Sequence, residues 1–89
     1  MKAELFNIQN WKLRDDGNRY LVLEFMLSNG SYARTNLVPT FRNFKNWKEI
    51  IKYGKGTIVD NIELKGDILI DADSKPRIIL KPLKQESLL

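Results

Sequence analysis

Residues 21–37, LVLEFMLSNGSYARTNL, decide how this chain folds, because they read as two strands meeting at Asn29-Gly30. Leu21, Leu23, Phe25 and Leu27 alternate with other residues at the period of a half-buried strand. Two registers compete. A two-residue turn at Asn29-Gly30 sets Leu27 opposite Tyr32 and Phe25 opposite Arg34, which puts Arg34 and Asn36 on the apolar face. A three-residue loop, Ser28-Asn29-Gly30 with a left-handed Gly30, shifts the pairing by one. Leu21, Leu23, Phe25 and Leu27 then share a face with Ala33, Thr35 and Leu37. A slip of one residue exchanges the two faces of a strand, so the second register is expected. It leaves Tyr20, Val22, Glu24 and Met26 on the other side, beside Tyr32, Arg34 and Asn36, with Glu24 facing Arg34. A water-facing surface needs no aromatics, so this one is expected either to be covered or to bind something.

Upstream, AELFNIQNWKL (residues 3–13) has a period near two. Phe6 and Ile8 share one face, while Trp11 and Leu13 have the other parity. A parity change inside one strand is what a β-bulge produces, so a long, bent first strand is expected, with Phe6 and Phe25 assigned to the core. RDDGNR (14–19) reads as a turn, its Asp-Gly supplying the positive φ of a hairpin.

Downstream, Pro39 ends the second hairpin. Phe44, Trp47, Ile50 and Ile51 follow helical spacing, with Thr40 or Asn43 as cap and Gly54 at the C′ position. This predicts one amphipathic helix of about three turns. GTIVDNIELKG and RIILKPL read as strands rich in Ile, Val and Leu, with DILI extending the first beyond a kink at Gly66. DADSKP (71–76) reads as a turn.

Strand, strand, strand, helix, strand, strand is the connectivity of the oligonucleotide/oligosaccharide-binding (OB) fold, a five-stranded Greek-key barrel. The chain is therefore expected to be mainly β, an OB-like barrel with one α-helix between strands 3 and 4, plugged by Trp47 and Ile51. The alternative is an α+β arrangement, one helix lying on a curved antiparallel sheet. One domain over residues 1–83 is expected, with a frayed tail at 84–89.

Bulk properties agree with a folded, soluble chain. Of 89 residues, 43% are hydrophobic and 29% charged, too apolar for a disordered polymer. There is no apolar run long enough for a signal peptide or a membrane span. A cytoplasmic location, consistent with the lack of cysteine, and no membrane partner are expected.

The chemistry offered to catalysis is thin. Neither histidine nor cysteine is present, which removes the commonest general base, the commonest activated nucleophile and thiolate metal sites. Asp71 and Asp73 mimic the start of a calcium loop. However, Lys75 falls where a ligand is needed and Pro76 where the loop needs glycine. A non-enzymatic protein without cofactor or metal is expected.

Charge and aromatics say more. Between Thr40 and Gly56, Arg42, Lys45, Lys48, Lys52 and Lys55 stand against Glu49 alone, which matches the whole net charge of +4. The four lysines fall within one sector of about 80° on a helical wheel, either as a solvated face or as a stripe that tracks a phosphate backbone. Of the two Trp, three Tyr and four Phe, Tyr20 and Tyr32 fall outside the expected core, and Trp11 lies beside the bulge. Strands 2 and 3 form the ligand face of the OB fold, and single-strand binders place aromatics there for bases to stack on.

On these grounds the chain resembles small single-stranded-DNA-binding proteins of the OB fold, such as those of phages and archaea. The resemblance lies in element order and aromatic placement over Lys2 to Leu83 and not in a diagnostic motif. It implies binding of single-stranded nucleic acid by stacking and basic contacts, through Trp11, Lys12, Arg14, Arg19, Tyr20, Tyr32, Arg34 and Asn36. The competing expectation is a small protein-interaction module, a phage-type inhibitor or accessory subunit, with Tyr20, Val22, Met26 and Tyr32 buried against a homodimer mate or another protein.

Overall fold

The hairpin takes the register that a left-handed Gly30 demands. In the computed structural model, which describes residues 1–13 and 19–82 (residues 10–13 and 19 by backbone alone), Leu21 pairs with Leu37, Leu23 with Thr35, Glu24 with Arg34 and Phe25 with Ala33. Gly30 has φ +88°. The loop is closed by Leu27 N–H donating to the Ser31 carbonyl at 2.7 Å and Gly30 N–H donating to the Leu27 carbonyl at 2.9 Å. Asn29 Oδ1 accepts from Ser31 N–H at 2.9 Å, the side-chain turn that makes Asn favourable here.

Around this hairpin the elements run β1 (Ala3–Leu13), β2 (Arg19–Leu27), β3 (Tyr32–Leu37), α1 (Phe44–Tyr53), β4 (Ile58–Asp60), β5 (Leu64–Lys65), β6 (Leu69–Ile70) and β7 (Arg77–Leu80). They form one sheet in the order β5-β6-β3-β2-β1-β4-β7, curled into a half-barrel. The protein is thus mainly β with a single described helix, placed between the third and fourth strands. The strand count departs from expectation: seven strands are described instead of five.

The extra strands come from one segment. Asn61 takes φ +62° and Gly66 takes φ +75°. The chain therefore leaves β4 early and folds back at Gly66, so that Leu64 pairs with Ile70 and Lys65 with Leu69. The expected kinked extension is a separate hairpin. Its second strand runs parallel to β3, with Arg34 opposite Leu69 and Arg34 N–H donating to the Ile68 carbonyl at 3.0 Å. The expected closing pair does form, β4 with β7 antiparallel.

β1 is long and bent, as its mixed periodicity predicts, but it is bent twice. Its register against β2 shifts between Gln9 and Lys12, where the parity change falls, and also between Leu5 and Asn7. The second irregularity overturns the core assignment of Phe6. Leu5 pairs with Phe25 and Asn7 with Glu24, so Phe6 is the extra residue and stands 38% exposed.

The core lies on the inner face of the curl. Leu5, Leu23, Phe25, Leu37, Val59, Trp47 and Ile50 are sealed from water, with Ile8, Phe44 and Ile51 packed against them. Helix α1 contributes Trp47 and Ile50 as its buried residues. Of the two expected plugs, Trp47 is fully buried and Ile51 only partly so, because Ile50 takes the inward position. Trp47 meets Phe25 edge-on, ring centroids 6.0 Å apart, and its Nε1–H donates to the Ala72 carbonyl at 2.9 Å. Burying such a ring removes about 150–250 Å² from water. Asn43 holds the N-cap position, but its side chain does not cap the helix and instead donates to the Asp73 carbonyl. The helix is thereby tied at its start to the turn after β6, and Gly54 ends it with φ +80°. The 71–76 turn is stapled internally, Asp71 Oδ1 accepting from Asp73 N–H at 2.9 Å and Ser74 Oγ–H donating to the Asp71 carbonyl at 2.7 Å.

Among the described residues, no helix is long and apolar enough to cross a membrane. Nor does any group of three or more metal-ligating side chains gather among them.

Candidate functional site: the outer face of β1, β2 and β3

Each pleat that points Leu23 or Phe25 inward points its neighbour out, and the outer face can be followed as rows of paired residues. The central row is Asn7, Glu24, Arg34, Leu69 and Lys65, running from β1 through β2, β3 and β6 to β5. On one side lies Glu4, Met26 and Tyr32; on the other, Gln9, Val22 and Asn36.

At the middle of the central row, Glu24 is held by its neighbours. Tyr32 Oη–H donates to its Oε2 at 2.6 Å and Asn7 Nδ2–H donates to its Oε1 at 2.6 Å. These bonds, the one from Tyr32 foremost and then that from Asn7, hold the Glu24 carboxyl below the usual carboxylate range, with smaller help from Gln9 and the Arg34 charge. The same bond raises the Tyr32 phenol, because losing its proton beside a carboxylate is unfavourable. Arg34 faces Glu24 in register, as expected. It acts on the carboxylate through space, while Asn7 and Tyr32 take the direct bonds to its two oxygens.

The bulge that ejects Phe6 brings it to Tyr32. Their centroids are 6.0 Å apart with planes at 60°, an edge-to-face pair. Phe6 and Asn7 are the two site residues that the periodicity reading missed. The signal was present: Ala3 and Leu5 have odd parity and Ile8 even, and all three can face the core only if one residue between Leu5 and Ile8 is extra.

The other expected site residues divide. Arg34 and Asn36 are exposed, and Tyr20 and Tyr32 half-buried, on this one face. Asn36, Lys65 and Leu69 line a shallow cleft of about 200 Å³ at its β6 margin. Lys12 pairs with Tyr20 and Arg19 with Leu13 along the β1–β2 backbone. The side chains of Trp11, Lys12 and Arg19, and Arg14 with the 14–18 part of its turn, lie outside the described residues, as does the 84–89 tail. Val22 has the outward parity expected of it but is only 4% exposed. Val22 therefore adds almost nothing to an exposed apolar patch; among the described residues of this face, Met26 at 43% and Leu69 at 44% on these rows, and Phe6 at 38% in the bulge beside them, are the large exposed apolar side chains.

Lys45, Lys48 and Lys52 on α1 and Lys55 just past its end are exposed, Lys48 lying 5.9 Å from the centre of the Phe44 ring. The lysines ride on the element that packs against the inner face, so they do not belong to the aromatic surface.

No family model matches the chain, and no curated protein or solved structure matches it either.

Proposed function

We propose that this protein binds single-stranded nucleic acid, without catalysing a reaction, through the outer face of β1, β2 and β3. The observation that carries the reading is the outward Phe6–Tyr32 pair, oriented by the Glu24 bond and flanked by Arg34. Bases have π-faces that stack on such rings at about 1–3 kcal/mol each, whatever their sequence. Arg34 and Lys65 supply phosphate contacts on one margin, and Trp11, Lys12, Arg14 and Arg19 belong to the same reading at the β1–β2 end. The fold is read as OB-like by taking β5 and β6 as an excursion between β4 and β7. The remaining five strands, with α1 between the third and fourth, then follow the OB order, in which strands 2 and 3 carry the ligand.

Fluorescence anisotropy with a labelled oligothymidine tests this. Binding at micromolar concentration or tighter, weakening steeply with added salt, is the expected result. Absence of binding at low salt overturns it.

A second reading has its own observation. Leu64, Ile68 and Leu69 are all exposed on the β5–β6 hairpin at the edge of the sheet. A protein partner or a second copy of the chain would bury them. Self-association that depends on concentration and ignores nucleic acid favours this reading over the first.

A further inference from the structure

Resting on the nucleic-acid reading above, we propose that Glu24 is the residue by which this face accepts a single strand and rejects a duplex. Its carboxylate sits in the middle of the central row and cannot swing aside, because Tyr32 holds one oxygen and Asn7 the other, each at 2.6 Å. Both donors belong to flanking strands, so the charge is fixed to the sheet. The positive groups of the same row lie to one side only, Arg34 on β3 and Lys65 on β5. The apolar and aromatic groups, Phe6, Tyr32 and Met26, lie around the carboxylate.

A duplex keeps its base faces stacked and offers any flat surface its phosphates. Laid across this face, it brings phosphate against a fixed negative charge and gains nothing from Phe6 or Tyr32. A single strand can separate the two contacts, setting its phosphates over Arg34 and Lys65 and turning its bases toward the rings. The lysines of α1 attract both forms through phosphate alone and do not discriminate. Glu4, the other carboxylate on these rows, lies at the β1 side opposite Met26, so the charge at the centre of the face is that of Glu24.

The test compares wild-type protein and Glu24→Gln by anisotropy, with labelled oligothymidine and with a labelled duplex of equal length. Glu24→Gln keeps an acceptor for the Tyr32 hydroxyl, and it is expected to tighten duplex binding about tenfold at low salt and oligothymidine binding by a clearly smaller factor. The duplex gain should vanish near 1 M salt, where the screening length is about 3 Å. That salt dependence separates a lost charge from a repacked surface. As a second variant that leaves the Glu24 bonds intact, Asn36→Asp adds a carboxylate to the adjoining row and should weaken duplex binding more than oligothymidine binding. Equal changes for both nucleic acids in both variants overturn the role of Glu24 while leaving single-strand binding in place. A wild-type protein that does not bind oligothymidine overturns both.

Discussion

Two aromatic pairs sit on opposite sides of the same sheet, and they are built alike. Phe25–Trp47 and Phe6–Tyr32 both have centroids 6.0 Å apart in edge-to-face geometry. Each has a polar hydrogen committed nearby, Trp47 Nε1–H to the Ala72 carbonyl and Tyr32 Oη–H to Glu24. The difference is water. Phe25 and Trp47 are fully buried, whereas Phe6 is 38% exposed. An aromatic pair contributes about 0.5–1.5 kcal/mol beyond its buried area, and the outer pair, with both rings only part-buried, gains less from area than the inner one. Similar ring geometry thus makes a keystone on one side and, on the other, a surface that keeps ring area free for a ligand.

The comparison breaks first if the inner pair proves dispensable. Trp47→Ala should cost about 3–5 kcal/mol, read as a lower midpoint in urea denaturation, since it opens a cavity and leaves the Ala72 carbonyl unpaired. Both pairs depend on the hairpin register, and Gly30 sets that register with φ +88° in open space. Gly30→Ala should therefore cost about 1–2 kcal/mol, from left-handed backbone strain alone. In oligonucleotide binding, Tyr32→Ala should lose about 1–3 kcal/mol of affinity, while Tyr32→Phe keeps the ring and loses much less. A Tyr32→Ala variant that melted far below wild type without losing affinity would show the outer pair to be structural, like the inner one.

The smallest effect is on pH dependence. The Glu24 carboxyl is lowered in the folded state, so its contribution is present above the unfolded value of about 4.3 and lost as pH falls through the folded one. The Tyr32 phenol is raised, so its contribution is present below about 10 and lost as pH rises through the folded value. Melting temperatures of wild type and Tyr32→Phe across pH should differ by a constant amount near neutrality and converge at both extremes. The inner pair has no titrating partner, and Trp47→Ala should show no such convergence.

Much of this was legible before any coordinates. The period-two run from Leu21 to Leu27, the need to keep Arg34 and Asn36 off its apolar face, and a Gly30 suited to the left-handed loop position determined the hairpin register and hence which residues face out. Helical spacing from Phe44 to Ile51, with Gly54 to stop it, determined α1. Such features follow from hydrogen-bond geometry and side-chain period within a dozen residues, and nothing distant can easily override them. The parity change in β1 likewise announced one bulge.

The tertiary structure decided what depends on partners far along the chain. Phe6 turns outward because Leu5 and Ile8 must both reach Phe25, Leu23 and the rest of the core, and the bulge absorbs the residue between them. Val22 is buried although its parity points it away from the core cluster. The 64–70 segment becomes a hairpin because positive φ at Asn61 and Gly66 sends it back to lie parallel to β3. Glu24 reads in the sequence as the cross-strand partner of Arg34; only the pairing of three strands brings Asn7 and Tyr32 to its two oxygens. Local sequence determines which way a side chain points, but what it meets there is set by contacts that close only when the whole sheet has formed.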